Sequence, residues 1–196
     1  MVVGYHLIWT AYGWWLHNDP RGSSSHEIRV ERIAELGELH HGRKAVQPHL
    51  GELRQFQDQA RTVLKHPLLT FSPHAVSHIA EAFKIVIAER QYTCYACALM
   101  ADHVHALIRR HRDKAEEMIA HLQQRSKERL IAAGERDASH PVWGGPGWKV
   151  FLNTRKDIQR IVGYIRENPI KAGLPEQIWE FVTTYDGWLP RPARET

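Results

Sequence analysis

Hydrophobic and polar positions alternate between two rhythms along the chain. Residues 3–12, VGYHLIWTAY, are aromatic and β-branched and predict a first strand. The run GWWLHNDPRGSSS follows, and its Asn18, Asp19, Pro20, Gly22 and serines predict a loop. Residues 26–66 are charged and rich in histidine, with helical spacing only over RQFQDQARTVLK, 54–65. Ser72 and Pro73 suit an N-cap and a first helical position. Ala75, Ile79, Ala82, Phe83, Val86 and Ile87 then recur at helical spacing to near Arg90. Residues 92–100 and 103–110 read as strands around a tight break at Ala101-Asp102, which predicts a hairpin. A second helix is expected over 114–133, with Met118, Ile119, Leu122 and Leu130 as its stripe. A Gly/Pro loop at 141–148 leads to a short strand at 149–152. Asn153 or Thr154 caps a last helix to about Asn168, and Pro169 and Gly173 are expected to end it. The tail FVTTYDGWLPRP suits an added edge strand.

The core order is strand, helix, strand, strand, helix, strand, with one further helix. That is the β-α-β-β-α-β order of a ferredoxin-like α+β sheet. One domain over 1–196 is expected, with a variable insertion at about 26–66 after the first strand.

Composition narrows the class. Hydrophobic residues are 43% and charged residues 24% of 196, so the chain carries a real core. Its net charge of +4 favours acidic partners, nucleic acid first among them. Its two cysteines form a CxxC, Cys94 and Cys97, inside a β-favouring run. Strand alternation would put them on opposite faces, so two buried structural thiols are expected rather than a metal or redox pair. With no disulfide framework, no secretory leader in residues 1–12 and no apolar run long enough to span a bilayer, a cytoplasmic protein is expected.

Two local patterns carry chemistry. In His103-Val104-His105 both imidazoles share one strand face, while Val104, Ala106 and Ile108 point to the core. Two imidazoles so placed can converge on one ion. On the last helix, Ile158, Ile161, Val162 and Ile165 form the apolar stripe, and Tyr164 and Asn168 stack one turn apart beside it. A divalent metal, Mg²⁺ or Mn²⁺, held by His103, His105 and the amide oxygen of Asn168 would keep open positions for a phosphodiester. Tyr164 is then a candidate nucleophile, although a phenol needs local help to act as one. His74 and His78 also stand four apart on a helix and could bind a metal, but with no third ligand evident in sequence a solvated helix face is expected.

Three segments resemble a known family. ALMADHVHALI resembles the HUH segment, often written MPNHVHLLI, of the single-tyrosine HUH transposases. YIRENPIKAGL resembles the tyrosine-helix motif YIxxNPxRAGL of the REP-associated tyrosine transposases in that superfamily. YHLIWTAYGWWLHNDPRGS resembles the first strand and loop of the same group. The resemblance implies that His103 and His105 bind the metal and that Asn168 completes the site. It implies that Tyr164 forms a 5′-phosphotyrosine link and frees a 3′-OH on single-stranded or hairpin DNA. Ala101-Asp102 replaces the usual Pro-Asn, and Lys171 replaces the arginine of the tyrosine motif, which loses bidentate phosphate contact.

Arg109, Arg110, Arg125, Lys127, Lys149, Arg155, Arg160 and Lys171 are candidates for phosphate contacts. Trp148, with Trp14, Trp15 and Trp143, is a candidate for stacking on unpaired bases. A homodimer is compatible with this pattern. Two other readings fit the same residues: a non-catalytic DNA-hairpin-binding descendant, and an RNA-binding or RNA-processing module on the same sheet.

Overall fold

The computed structural model describes residues 1–23, 31–34, 36–42 and 44–190. Ser24, Ser25, residues 26–30, 35 and 43 of the expected insertion, and Arg191 and Pro192 of the expected edge strand lie outside the described residues.

Among the described residues nine elements follow one another: β1 (Gly4–Thr10), α1 (Glu31–Ala34), α2 (Leu50–Val63), α3 (Pro73–Arg90), β2 (Cys94–Leu99), β3 (His103–Arg109), α4 (Ala115–Ala132), β4 (Trp148–Leu152) and α5 (Arg155–Lys171). The strands form one sheet in the order β2-β3-β1-β4, antiparallel at every junction. This is the ferredoxin-like α+β arrangement expected. β1 and β3 are its central pair.

Two layers cover the sheet. Leu7, Trp9, Val104, Ala106 and Ile108 face α3 and α4, packing with Ile79, Phe83, Met118 and Leu122. Val3, Leu107 and Leu152 face α5, packing with Ile158, Ile161 and Ile165. A smaller cluster of Leu16, Ile33, Phe56 and Ala60 gives the insertion a core of its own.

The caps behave as the sequence requires. The Ser72 hydroxyl accepts from the Ala75 N–H at 3.0 Å, and Pro73 occupies the first turn of α3. Thr154 and Asp157 form a reciprocal capping box on α5.

Three expectations need correction. Pro169 does not end α5, which runs on to Lys171. A proline in the last turn forfeits only its own N–H bond, and Gly173, at φ 75°, comes after the true end. The tail adds no described strand. It makes one parallel bridge, Cys94 to Val182, with the Thr183 N–H donating to the Cys94 carbonyl at 2.8 Å. Cys94 and Cys97 do not point to opposite faces: both enter the α3/α4 core. The pairing register slips between Cys94 and Ala96, and one extra residue restores a common face. Both thiols are free and buried, and burial pushes the Cys94 thiol up to about 12. Neither is a ready thiolate for redox or metal chemistry. No described helix is long and apolar enough to cross a membrane.

Candidate active site

The α5 face of the central strands carries the histidines. Thr10 pairs with His103 and Ile8 with His105 across β1 and β3, so period-two alternation puts all four on this face. The His103 and His105 rings lie 4.9 Å apart, nearly perpendicular. Tyr164 on α5 approaches edge-on, its ring centroid 5.4 Å from that of His105. Strand and helix thus bring the two sequence motifs together.

His6 is the residue that sequence patterns missed. It sits diagonally from His105, and its Nε2 lies 3.0 Å from His105 Nδ1 in a buried hydrogen bond. The Tyr164 ring is 5.9 Å away. Asp102, the residue that departs from the family pattern, also finds a role. Its carboxylate lies 2.6 Å from His103 Nδ1. Burial pushes the Asp102 carboxyl up, but the hydrogen bond and charge of His103 outweigh this and hold it below its usual range. Both imidazoles of the pair therefore have Nδ1 engaged by a neighbour, which leaves Nε2 as the ligand atom. Such outer partners fix ring orientation at metal sites.

Burial, then the charges of His103 and His6, pull the His105 pKa down to about 2. Burial, then Arg160, pulls His6 down to about 4. His105 is 6% exposed and stays neutral, the form that binds metal. The donors fit a divalent ion on this account: two imidazoles oriented from behind and facing a cleft, with His105 held neutral.

These depressed values set a pH dependence. The unfolded chain protonates His6 near 6.5, the folded one only near 4. The unfolded state binds more protons between these values, so folding stability is fully present above the upper one. It falls as pH drops toward the lower one, by up to about 1.4 kcal/mol per unit and buried histidine. Urea unfolding at about pH 7 and about pH 5 should show this loss, with a shallower slope in His6→Gln. An equal slope in that variant would assign the effect to other groups.

A cleft of about 400 Å³ opens over the histidines, walled by Ile8, Thr10, Trp148, Val150 and Tyr164. The loop after β1 supplies Trp15 and Arg21, and the insertion supplies Gln47 and Gln57. Arg21 forks onto Asp19 through Nε and Nη2, both at 2.7 Å, and lies 4.1 Å over the Trp15 ring. The Gly/Pro loop presses on β1. At Gly147, φ 77°, a Cβ would meet the Ile8 carbonyl oxygen at 2.8 Å, so only glycine fits.

Other candidates spread out. Asn168 does not line the cleft; its Nδ2 donates to the Tyr164 carbonyl at 3.3 Å, leaving Oδ1 unengaged by that bond. Arg160, one turn before Tyr164, acts electrostatically on His6 and so lies near the site. Trp148 lines the cleft, paired across from Ile8. Lys149, next along the strand, points to the opposite layer, where it pairs with Glu116. Arg125 and Lys127 lie on α4, with the sheet between them and the cleft; Arg125 bonds Glu89 at 2.9 Å. Lys171 pairs with Glu167 at 2.7 Å. Arg109 stacks 4.8 Å over Trp188. Arg110 and Arg155 are exposed at the ends of β3 and α5. Trp14 and Trp143 are structural: their indole N–H groups donate to the Leu69 and Gln123 carbonyls, and Trp143 packs on Trp9 and Phe71.

No protein-family model matches the chain, and no curated protein matches its sequence. Solved structures do resemble it. One is a REP-associated tyrosine transposase bound to a REP hairpin, 18% identical with a TM-score of 0.46, over 57% of this chain and 65% of that one. The chain thus spans somewhat less than two thirds of that protein. Another is a protein of Deinococcus radiodurans R1 provisionally named a transposase, 13% identical with a TM-score of 0.42, over 84% of this chain and 89% of the other.

Proposed function

We propose that this chain is a single-tyrosine HUH transposase, a nuclease that nicks and rejoins single-stranded or hairpin DNA. The observation that carries the reading is the meeting of Tyr164 with His105, ring centroids 5.4 Å apart, at a cleft shared with His103. These groups come from a strand and a helix about sixty residues apart, and each belongs to a motif with the family's pattern. The whole of 1–196 is read as one such domain.

His103 and His105 would hold the divalent ion, and Asn168, which stands outside the cleft wall, would have to turn inward to bring its Oδ1 as the neutral oxygen ligand. Bound Mg²⁺ or Mn²⁺ supplies positive charge that polarises a phosphodiester oxygen and offsets the charge building on phosphorus. His6 and Asp102 hold the two imidazoles in orientation. Tyr164, on a rigid helix, delivers its phenol oxygen to the phosphorus. The new O–P bond replaces the P–O3′ bond, the phenol gives up its proton, and the departing 3′ oxygen takes one to become a free hydroxyl. The enzyme is left joined to the 5′ phosphate, and attack by another 3′-OH reverses the step and joins strands. Arg160, whose charge reaches His6, and Arg21 at the cleft wall would meet phosphates, and Trp148 and Trp15 would stack on unpaired bases.

The test is a single-stranded oligonucleotide labelled on both sides of the break, incubated with Mn²⁺. A covalent protein–DNA adduct and a free 3′-OH fragment are expected. Binding should favour single strands and hairpins over plain duplex at fixed salt, and should weaken as salt rises. Hairpin binding with no adduct at any metal concentration would instead support the non-catalytic binder.

A further inference from the structure

The structure supplies a third ligand for the histidine pair on α3. His74 and His78 stand one turn apart, their ring centroids 4.6 Å from each other. Glu135, sixty-one residues on from His74, brings its carboxylate Oε1 to 2.6 Å from His74 Nδ1. Ligand atoms of all three lie within 4.8 Å of one another, and among the described residues no other three His, Cys, Asp or Glu do so.

We propose that His74, His78 and Glu135 form a zinc site, separate from the cleft, that clamps the start of α3 to the end of α4. Three features make the site more than a surface coincidence. The His78 side chain is only 13% exposed, and its Nδ1 lies 3.4 Å from Glu81. Glu81 is itself fixed by Arg129, through Nε at 2.9 Å and Nη2 at 2.6 Å. That carboxylate behind a ligating imidazole is the supporting arrangement metal sites use. Glu135 is anchored too: Gly134 turns the chain at φ 73°, and the Glu135 N–H donates to the Leu130 carbonyl at 2.9 Å. Two imidazoles and one carboxylate form a donor set that suits zinc, whereas magnesium prefers oxygen ligands and keeps its waters. The fourth position falls to water. The three ligands span two elements, so the ion closes a contact between helices rather than within one.

The site lies on the α3/α4 layer, with the sheet between it and the cleft. Zinc bound there holds the connection that runs from Glu135 to Gly144 and Gly147. Those glycines reach the cleft wall.

The experiment is isothermal titration of the intact protein with ZnCl₂, with zinc counted per chain and Tm measured in parallel. His74→Gln and Glu135→Gln change exposed or partly exposed side chains, so both variants should fold as the parent does. The parent should bind one more zinc equivalent than either variant, and zinc should raise its Tm by about a few degrees more. Each single substitution should weaken the site by about tenfold or more. Equal zinc stoichiometry and equal Tm rise in parent and variants would overturn the proposal, as would a parent that binds zinc only at the His103 and His105 cleft.

Discussion

Tyr164→Phe is expected to abolish the covalent DNA adduct and the nick, by about 10⁴-fold or more, while DNA binding and thermal stability survive. The substitution removes one oxygen and keeps the ring. Tyr164 is 45% exposed, and its ring contacts with His6 and His105 need no hydroxyl. Stability should therefore change by no more than about 0.5 kcal/mol. The five other tyrosines are engaged elsewhere. Tyr92 donates its hydroxyl to Asp113 at 2.7 Å and is buried. Tyr95 is buried, its hydroxyl 3.3 Å from Asp186, and burial pushes its pKa up to about 12. Tyr185 donates to the Trp188 carbonyl at 2.9 Å. Tyr5 packs edge-on against Phe151, and Tyr12 sits among His66 and His140. None of these five lines the cleft. Peptide mapping of the adduct identifies the linked residue, and an adduct formed by Tyr164→Phe at the parental rate would sink the assignment.

His103→Ala is expected to reduce metal-dependent cleavage by about 100-fold or more, because one of the two imidazoles that would hold the ion is lost. The fold should hold, since the His103 side chain is 27% exposed and its partner Asp102 can turn to water. His105→Ala should lose activity as well, but with a second effect. His105 is buried, and its removal leaves His6 Nε2 without its partner in a dry setting. That costs about 1–3 kcal/mol, in addition to the cavity. The pair of variants separates ligation from packing: urea unfolding should move for His105→Ala and stay near the parent for His103→Ala. Full Mn²⁺-dependent activity in His103→Ala would remove this histidine from the site.

Much of the fold was legible because its signals are local. The helical period over 73–90 and the Ser72-Pro73 start come from neighbouring residues alone, and α3 forms over that span. The common face of His103 and His105 follows from strand period two, and β3 carries both to the cleft. The same rule separates Trp148 from Lys149, a distinction legible in the sequence once β4 is known to be a strand. Tyr164 and Asn168 share a helix face for the analogous reason, but spacing alone does not say which of them meets the cleft.

The sequence by itself determined the order of the core strands and helices, the faces of most of them and the two motif pairs. Tertiary structure alone decided which of those faces meet. His6 meets His105 across ninety-nine residues because register sets β1 beside β3, and register is a property of paired strands rather than of either one. A single bulge at Cys94/Ala96 overrides alternation and turns both cysteines inward. Two of the basic candidates pair with acids that folding brings near, Arg125 with Glu89 and Lys149 with Glu116. Glu135 joins His74 and His78 only because α4 packs along α3 and ends beside its first turn. Periodicity is written in a few adjacent side chains. Contacts between elements depend on the packing of the whole chain.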